Sequence, residues 1–221
     1  MKTLLKKYMV FTIGLYLLSM SIVIIVHSTL GTTPISSINY VLSLNTSLTL
    51  GACTFLVNML MIIGQLWLIR GHMFSRKSLM EIFMQIPFSF VFGAFIDLNM
   101  NIMSGLHPYN YFMAIALVLL GCLVQATGVV LEVKPQVVMM SAEGFVNYAA
   151  KRYNKDFGKL KRRFDISLVT TAILISLIMA QRIEGIREGT IIAALMTGTV
   201  VSFISRHILT RKNFEYIKNI F

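Results

Sequence analysis

YMVFTIGLYLLSMSIVIIVHSTLGTTPISS, residues 8–37, contains no Asp, Glu, Lys or Arg. Its first part, residues 8–30, is apolar enough and long enough to cross a bilayer as one helix, which takes about 20 residues at 1.5 Å each. Lys2, Lys6 and Lys7 stand in front of it. The run exceeds the roughly 7–15 residues of a signal-peptide core, and no small-residue cleavage site follows, so it is expected to be an uncleaved first span. The second part opens with Gly31-Thr32-Thr33-Pro34. Proline there suits the first turn of a further helix over 34–44, about half a bilayer long.

Similar apolar runs recur at 51–69, 79–98, 111–131, 164–180 and 190–208. With 8–30 they make six expected spans. The fifth is short, and Asp165 lies at its edge. The 221 residues are 56% hydrophobic and only 13% charged, against roughly 25% charged in soluble proteins. Mean hydropathy is +0.75. This composition excludes a soluble domain and implies an all-α polytopic membrane protein.

Charge orients the spans. Of the 20 Lys and Arg residues, all but Arg182 and Arg187 fall in the N-terminal segment, in alternate loops or in the C-terminal tail. Cytoplasmic loops carry the basic excess, so both termini are expected inside. The net charge of +11 is then read as topology and contact with anionic lipid. Nucleic acid is not expected, because the basic residues, those at 151–163 included, sit in loops between apolar runs. The tail at 206–221 mixes basic and apolar residues, as a surface-lying amphipathic end does.

The chain also repeats. Gly31-Thr-Thr-Pro34 after the first span matches Glu132-Val-Lys-Pro135 after the fourth, and each Pro is expected to open a short helix. Gly51 precedes Asn58 by the same interval as Gly158 precedes Asp165, and Gly93 aligns with Gly198. The expected organisation is two three-span halves, 1–98 and 99–221. Three is odd, so the halves are inverted. Inverted repeats interrupted by broken helices are a recurring transporter plan.

Polar residues inside the spans fall in stripes. Glu81, Gln85, Ser89, Gly93 and Asp97 recur every four residues, on one slowly winding helix face. Gly121, Gln125, Gly128 and Glu132 form a second stripe, and Gly51, Asn58 and Gln65 a third. Small and hydrogen-bonding residues so placed join helices, and polar ones away from lipid are candidate solute contacts. The candidate substrate-binding residues are Asn58, Gln85, Asp97, Gln125 and Asp165. Thr33, Pro34 and Pro135 are the candidate backbone elements of the broken helices. Pro87 is expected to kink the third span. No phosphate-binding loop, HExxH or GxSxG occurs, and Cys53 and Cys122 have no metal-ligand spacing. No enzyme activity, cofactor or metal is expected.

Gly31-Thr-Thr-Pro-Ile-Ser-Ser, Gly51, Phe92-Gly-Ala-Phe-Ile-Asp97 and Glu188-Gly-Thr-Ile together resemble the YczE/YyaS/YitT-type bacterial integral membrane proteins. The resemblance implies a small, duplicated, multi-span protein of the bacterial plasma membrane. The expected function is a secondary transporter or exporter of a small solute, acting as a homodimer. The alternative is a non-transporting accessory, regulatory or assembly protein.

Overall fold

The computed structural model describes residues 2–70, 75–135 and 137–204, with side chains from residue 5 onward. The amphipathic tail expected at 206–221 lies outside them. The helices are α1 (Lys2–His27), α2 (Ser37–Asn45), α3 (Leu50–Leu68), α4 (Arg76–Phe83), α5 (Gln85–Ile102), α6 (Tyr111–Val133), α7 (Ser141–Tyr153), α8 (Phe157–Ala180) and α9 (Glu188–Phe203). No strand occurs among the described residues.

Five stretches are long and apolar enough to cross a membrane: Leu5–His27, Leu50–Leu68, Arg76–Ile102, Tyr111–Val133 and Phe157–Ala180. The last begins well before the apolar run at 164–180, because Asp156 caps α8 there by accepting from Lys159 N. Its basic first turns are therefore helical too. The sixth run gives α9, 16 residues long within the described chain. Large apolar side chains such as Ile166, Leu174 and Ile178 on α8, and Leu60 and Ile63 on α3, are exposed. Hydrocarbon solvates such a surface; water does not.

Two sequence expectations about proline are refined. In the third run the chain breaks at Met84, between α4 and α5. Pro87 has no N–H to give the carbonyl four residues back, at Phe83, and its ring presses on that carbonyl. Pro135 does not open α7. It follows the C-cap of α6 at Lys134, where proline stops a helix, and α7 begins only at Ser141. Pro34 lies in a turn ahead of α2, with Ser37 N donating to Pro34 O at 3.4 Å.

The chain divides into two compact units. The first comprises Met1–Thr33, Leu98–Val137 and Arg187–Phe221, and its main contacts are α1 on α6 and α6 on α9. The stripe on α6 makes them. A Cβ at Gly14 would lie 2.7 Å from Glu132 N, one at Gly128 2.9 Å from Leu18 Cγ, and one at Gly121 2.4 Å from Ile25 Cγ1. As α1 residue numbers rise those of α6 fall, so the pair is antiparallel, with backbones brought close by glycine. Asn99 Nδ2 donates to Ser19 Oγ at 2.9 Å, and Thr197 Oγ1 to Gln125 Oε1 at 3.1 Å. Helix α9 is fastened to the chain beyond α1: Gly189 N donates to Leu30 O at 2.8 Å and Thr32 N to Thr190 Oγ1 at 3.2 Å. It packs through Gly189, Thr190 and Ala193 rather than Gly198, whose Cβ would meet nothing within 4 Å.

The second unit comprises Pro34–Asp97 and Val138–Ile186. There α2 packs on α3 and α8, and α7 packs on α3 and α8. Gly51 and Gly93 bring α3 and α5 into backbone contact: a Cβ at Gly93 would lie 2.7 Å from Gly51 O.

These contacts make a contrast testable. Gly14→Leu forces a side chain into the α6 backbone and is expected to destabilise the protein by about 1–3 kcal/mol. Gly198→Ala adds a methyl to open space and is expected to be neutral within about 0.5 kcal/mol, or slightly stabilising through helix propensity. Thermal unfolding in a mild detergent distinguishes the two.

Candidate functional site

Helix α3 carries Thr54 and Asn58 one turn apart, and Gln65 seven residues further on, so all three share a face. The face is buried, and each residue meets a different element of the second unit.

Gln65 and Gln85 form a reciprocal amide pair. Gln65 Nε2 donates to Gln85 Oε1 at 2.8 Å, and Gln85 Nε2 donates back to Gln65 Oε1 at 2.9 Å. Gln65 Nε2 also donates to Ser141 O at 2.9 Å. Gly144 lets the first turn of α7 close over this pair, since a Cβ there would sit 2.9 Å from Gln65 Oε1. Ser141 Oγ donates to Asn58 Oδ1 at 2.7 Å. On the other side, Asn39 Nδ2 donates to Thr54 Oγ1 at 3.2 Å. The Thr54 hydroxyl hydrogen is already given to Leu50 O at 2.8 Å, so Thr54 can only accept, and the Asn39 amide is fixed in that orientation.

The two short helices thus reach α3 at neighbouring turns. Helix α2 runs against α3, because a short connection joins its end at Asn45 to Leu50 while its first turn meets Thr54. Helix α7 runs along α3. It starts at Asn58 and ends where Arg152 Nη1 donates to Leu68 O at 2.7 Å and the guanidinium lies 5.4 Å from the Trp67 ring centroid. The N-termini of α2 and α7 therefore converge on the Thr54–Asn58 turn from opposite directions. Helices α3, α4, α6 and α8 have side-chain N-caps in Thr49, Ser75, Asn110 and Asp156. Neither α2 nor α7 has one.

Among the described residues five buried side-chain atoms have no hydrogen-bond partner: Asn39 Oδ1, Asn58 Nδ2 and Ser89 Oγ in this unit, and Thr32 Oγ1 and Asn99 Oδ1 in the first. Ser89 lies on α5 between Gln85 and Gly93, whose contacts with Gln65 and Gly51 enclose Thr54 and Asn58 on the antiparallel α3. The residues just named are uncharged and offer hydrogen bonds and helix dipoles; Glu143 stands nearby in the first turn of α7. Among the described residues, no three His, Cys, Asp or Glu side chains are grouped to hold a metal ion.

The other candidate residues are placed elsewhere. Asp97 caps α3, accepting from Gly51 N at 2.8 Å and from Thr49 Oγ1 at 2.7 Å. A carboxylate there also meets the positive end of the helix dipole. Asp165 pairs with Lys161 along α8 at 2.5 Å. Gln125 belongs to the first unit and accepts from Thr197. Thr33 is buried, Pro34 lies in the turn before α2, and Pro135 ends α6. Glu81, first of the α5-side stripe, accepts from Tyr148 Oη at 3.2 Å. Sequence reasoning selected Asn58 and Gln85 but not Ser141, Asn39 or Thr54. The only local signal for Asn39 and Ser141 was small and polar residues at the start of each short helix, and Thr54 shares a face of α3 with Asn58.

The amide pair gives a clean energetic test. Gln65→Leu strands a buried Gln85 amide and is expected to cost about 1–3 kcal/mol. The Gln65→Leu/Gln85→Leu protein is expected to lose less than the sum of the single changes, because neither polar group is then left alone. A double-mutant cycle on unfolding in detergent measures the difference.

No curated protein matches the chain, and no solved structure does. The sequence profile of one family matches residues 5–206, nearly the whole of the helical region just described. The chain belongs to that family, a family of unknown function, DUF6198.

Proposed function

We propose that the chain is a small secondary transporter or exporter of the bacterial plasma membrane, with six spans, both termini cytoplasmic and two inverted three-span halves. The convergence of two uncapped short-helix N-termini on the middle of α3 carries this proposal. Helix ends inside a membrane protein are tolerated where protein buries them or a cavity meets them, and transporters use such ends to hold solute. Together α2 and α7 provide about 33 Å of helix at 1.5 Å per residue, close to one hydrocarbon thickness of about 30 Å. Two half-length helices meeting head to head thus fit a bilayer.

The packing supports an inverted repeat. Exchanging the halves maps α2 onto α7 and α3 onto α8. Under that exchange the α2–α8 contact becomes the α3–α7 contact, and α2–α3 becomes α7–α8; all four occur. In this scheme α9 is the sixth span, equivalent to α5. The resemblance to YczE/YyaS/YitT-type proteins implies a small, duplicated, multi-span membrane protein and is in keeping with this arrangement. Asn58 and Gln85 are the candidate solute-side residues, while Asp97 holds the scaffold. The basic residues at the start of α8 and in the loops meet anionic lipid, and the exposed apolar faces meet acyl chains or a second copy.

Two measurements test this. In a variant with Cys53 and Cys122 replaced, cysteine at Asn45 is expected to react with an impermeant thiol reagent from outside only, and cysteine at Lys155 from inside only. Labelling of both from one side would remove the inverted arrangement. Purified protein in lipid vesicles is expected to speed the osmotic re-equilibration of a panel of small polar solutes over protein-free vesicles. Permeability equal to that of empty vesicles across the panel would favour the accessory role.

A further inference from the structure

The unpartnered atoms at the meeting of α2 and α7 differ in kind, and the difference bears on what they bind. Asn39 Oδ1 is an acceptor, because its amide nitrogen is committed to a Thr54 hydroxyl that can only accept. Asn58 Nδ2 is a donor, because its amide oxygen accepts from Ser141 Oγ. Ser89 Oγ can both donate and accept. All three residues are more than nine-tenths buried. Asn39 bonds to Thr54 and Ser141 to Asn58, on successive turns of α3 whose Cβ atoms are about 5–6 Å apart.

We infer that this convergence is a binding site for a small uncharged solute carrying both a hydrogen-bond donor and an acceptor, of the amide or hydroxyl class. The solute donates to Asn39 Oδ1, accepts from Asn58 Nδ2 and completes its bonding at Ser89 Oγ. Electrostatics exclude a cation, because two helix N-termini present their positive ends here without side-chain caps. An anion is excluded because the free carbonyl oxygen of Asn39 faces the site, and Glu143 in the first turn of α7 already supplies negative charge. Gln65 and Gln85 bond each other, so they form the floor of the site and leave the free atoms to select the solute.

This inference names the solute class of the transport site proposed above and rests on that proposal for its role, but binding is measured apart from flux. The experiment is saturation-transfer NMR on the detergent-solubilised full chain with acetamide, glycerol and formate as probes. Acetamide and glycerol are expected to show transfer and formate none. Asn58→Ala is expected to weaken acetamide binding about tenfold, the loss of one buried hydrogen bond of roughly 1.4 kcal/mol. Ser89→Ala breaks no bond within the protein, so it is expected to leave the unfolding temperature unchanged while reducing transfer severalfold. It keeps the test decisive should Asn58→Ala fail to fold. Transfer to formate in place of the neutral probes would overturn the inference, as would neutral-probe transfer unchanged in Ser89→Ala. Binding without vesicle flux would sustain the site and remove the transport role. Flux of the panel without acetamide or glycerol binding would do the reverse.

Discussion

A polar group inside hydrocarbon must find its partner within the protein, because no water is there to supply one. The second unit is arranged around that constraint. Gln65 and Gln85 satisfy each other in both directions, and Gln65 adds a carbonyl of α7. Asp97 takes two donors at the start of α3. Each bond ties together elements distant in sequence, so the same groups that would oppose burial alone define which helices are neighbours. Net energies of such bonds in membranes are modest, often below about 1 kcal/mol. Their main consequence is therefore specificity: a rotated α5 would leave both the amide pair and the carboxylate without partners.

Close backbone approach is the complementary device. Helices gain little from burying apolar surface against each other when lipid is equally apolar. Contact then depends on how near two backbones come. Gly14, Gly121 and Gly128 supply this between α1 and α6, and Gly51 with Gly93 between α3 and α5. Gly144 has a different use, admitting the amide pair to the first turn of α7. Glycine lowers helix propensity by about 1 kcal/mol per residue, so its placement at these crossings reflects packing.

Much of this was legible in the sequence, for a physical reason. A four-residue interval stays on one helix face, so Glu81, Gln85, Ser89, Gly93 and Asp97 had to look in one direction, and those with recorded partners contact α3 or α7. The stripe on α6 likewise faces α1 and α9. Element ends were less legible. Hydropathy marks where a helix becomes apolar, whereas α8 starts at its Asp156 cap, ahead of its apolar run. Pro135 suited either the end of α6 or the start of another helix, and only the position of Ser141 decides. The partner of a polar residue was not legible at all. Asp97 reads as an isolated carboxylate until Thr49 and Gly51 are folded against it, and Asn39 and Ser141 gain meaning only where both reach α3.

The pattern of capping links fold to function. Four longer or surface-starting helices, α3, α4, α6 and α8, carry side-chain caps. A cap contributes about 0.5–2 kcal/mol, and serine, which caps well, stands at Ser36 immediately before α2 without capping it. A chain selected for stability alone would close both short-helix ends. Instead the two short-helix ends, without side-chain caps like the end of α9, are brought to adjacent turns of α3, beside a free donor and a free acceptor, with the free Ser89 hydroxyl on α5. Local choices that forgo stability gather at functional sites; in the second unit the unpartnered buried atoms are those of Asn39, Asn58 and Ser89, while Thr32 and Asn99 hold two more in the first. A purely structural role would leave unfilled hydrogen-bonding capacity scattered through the unit. Its concentration at Asn39, Asn58 and Ser89 is what a solute with matching groups would complete.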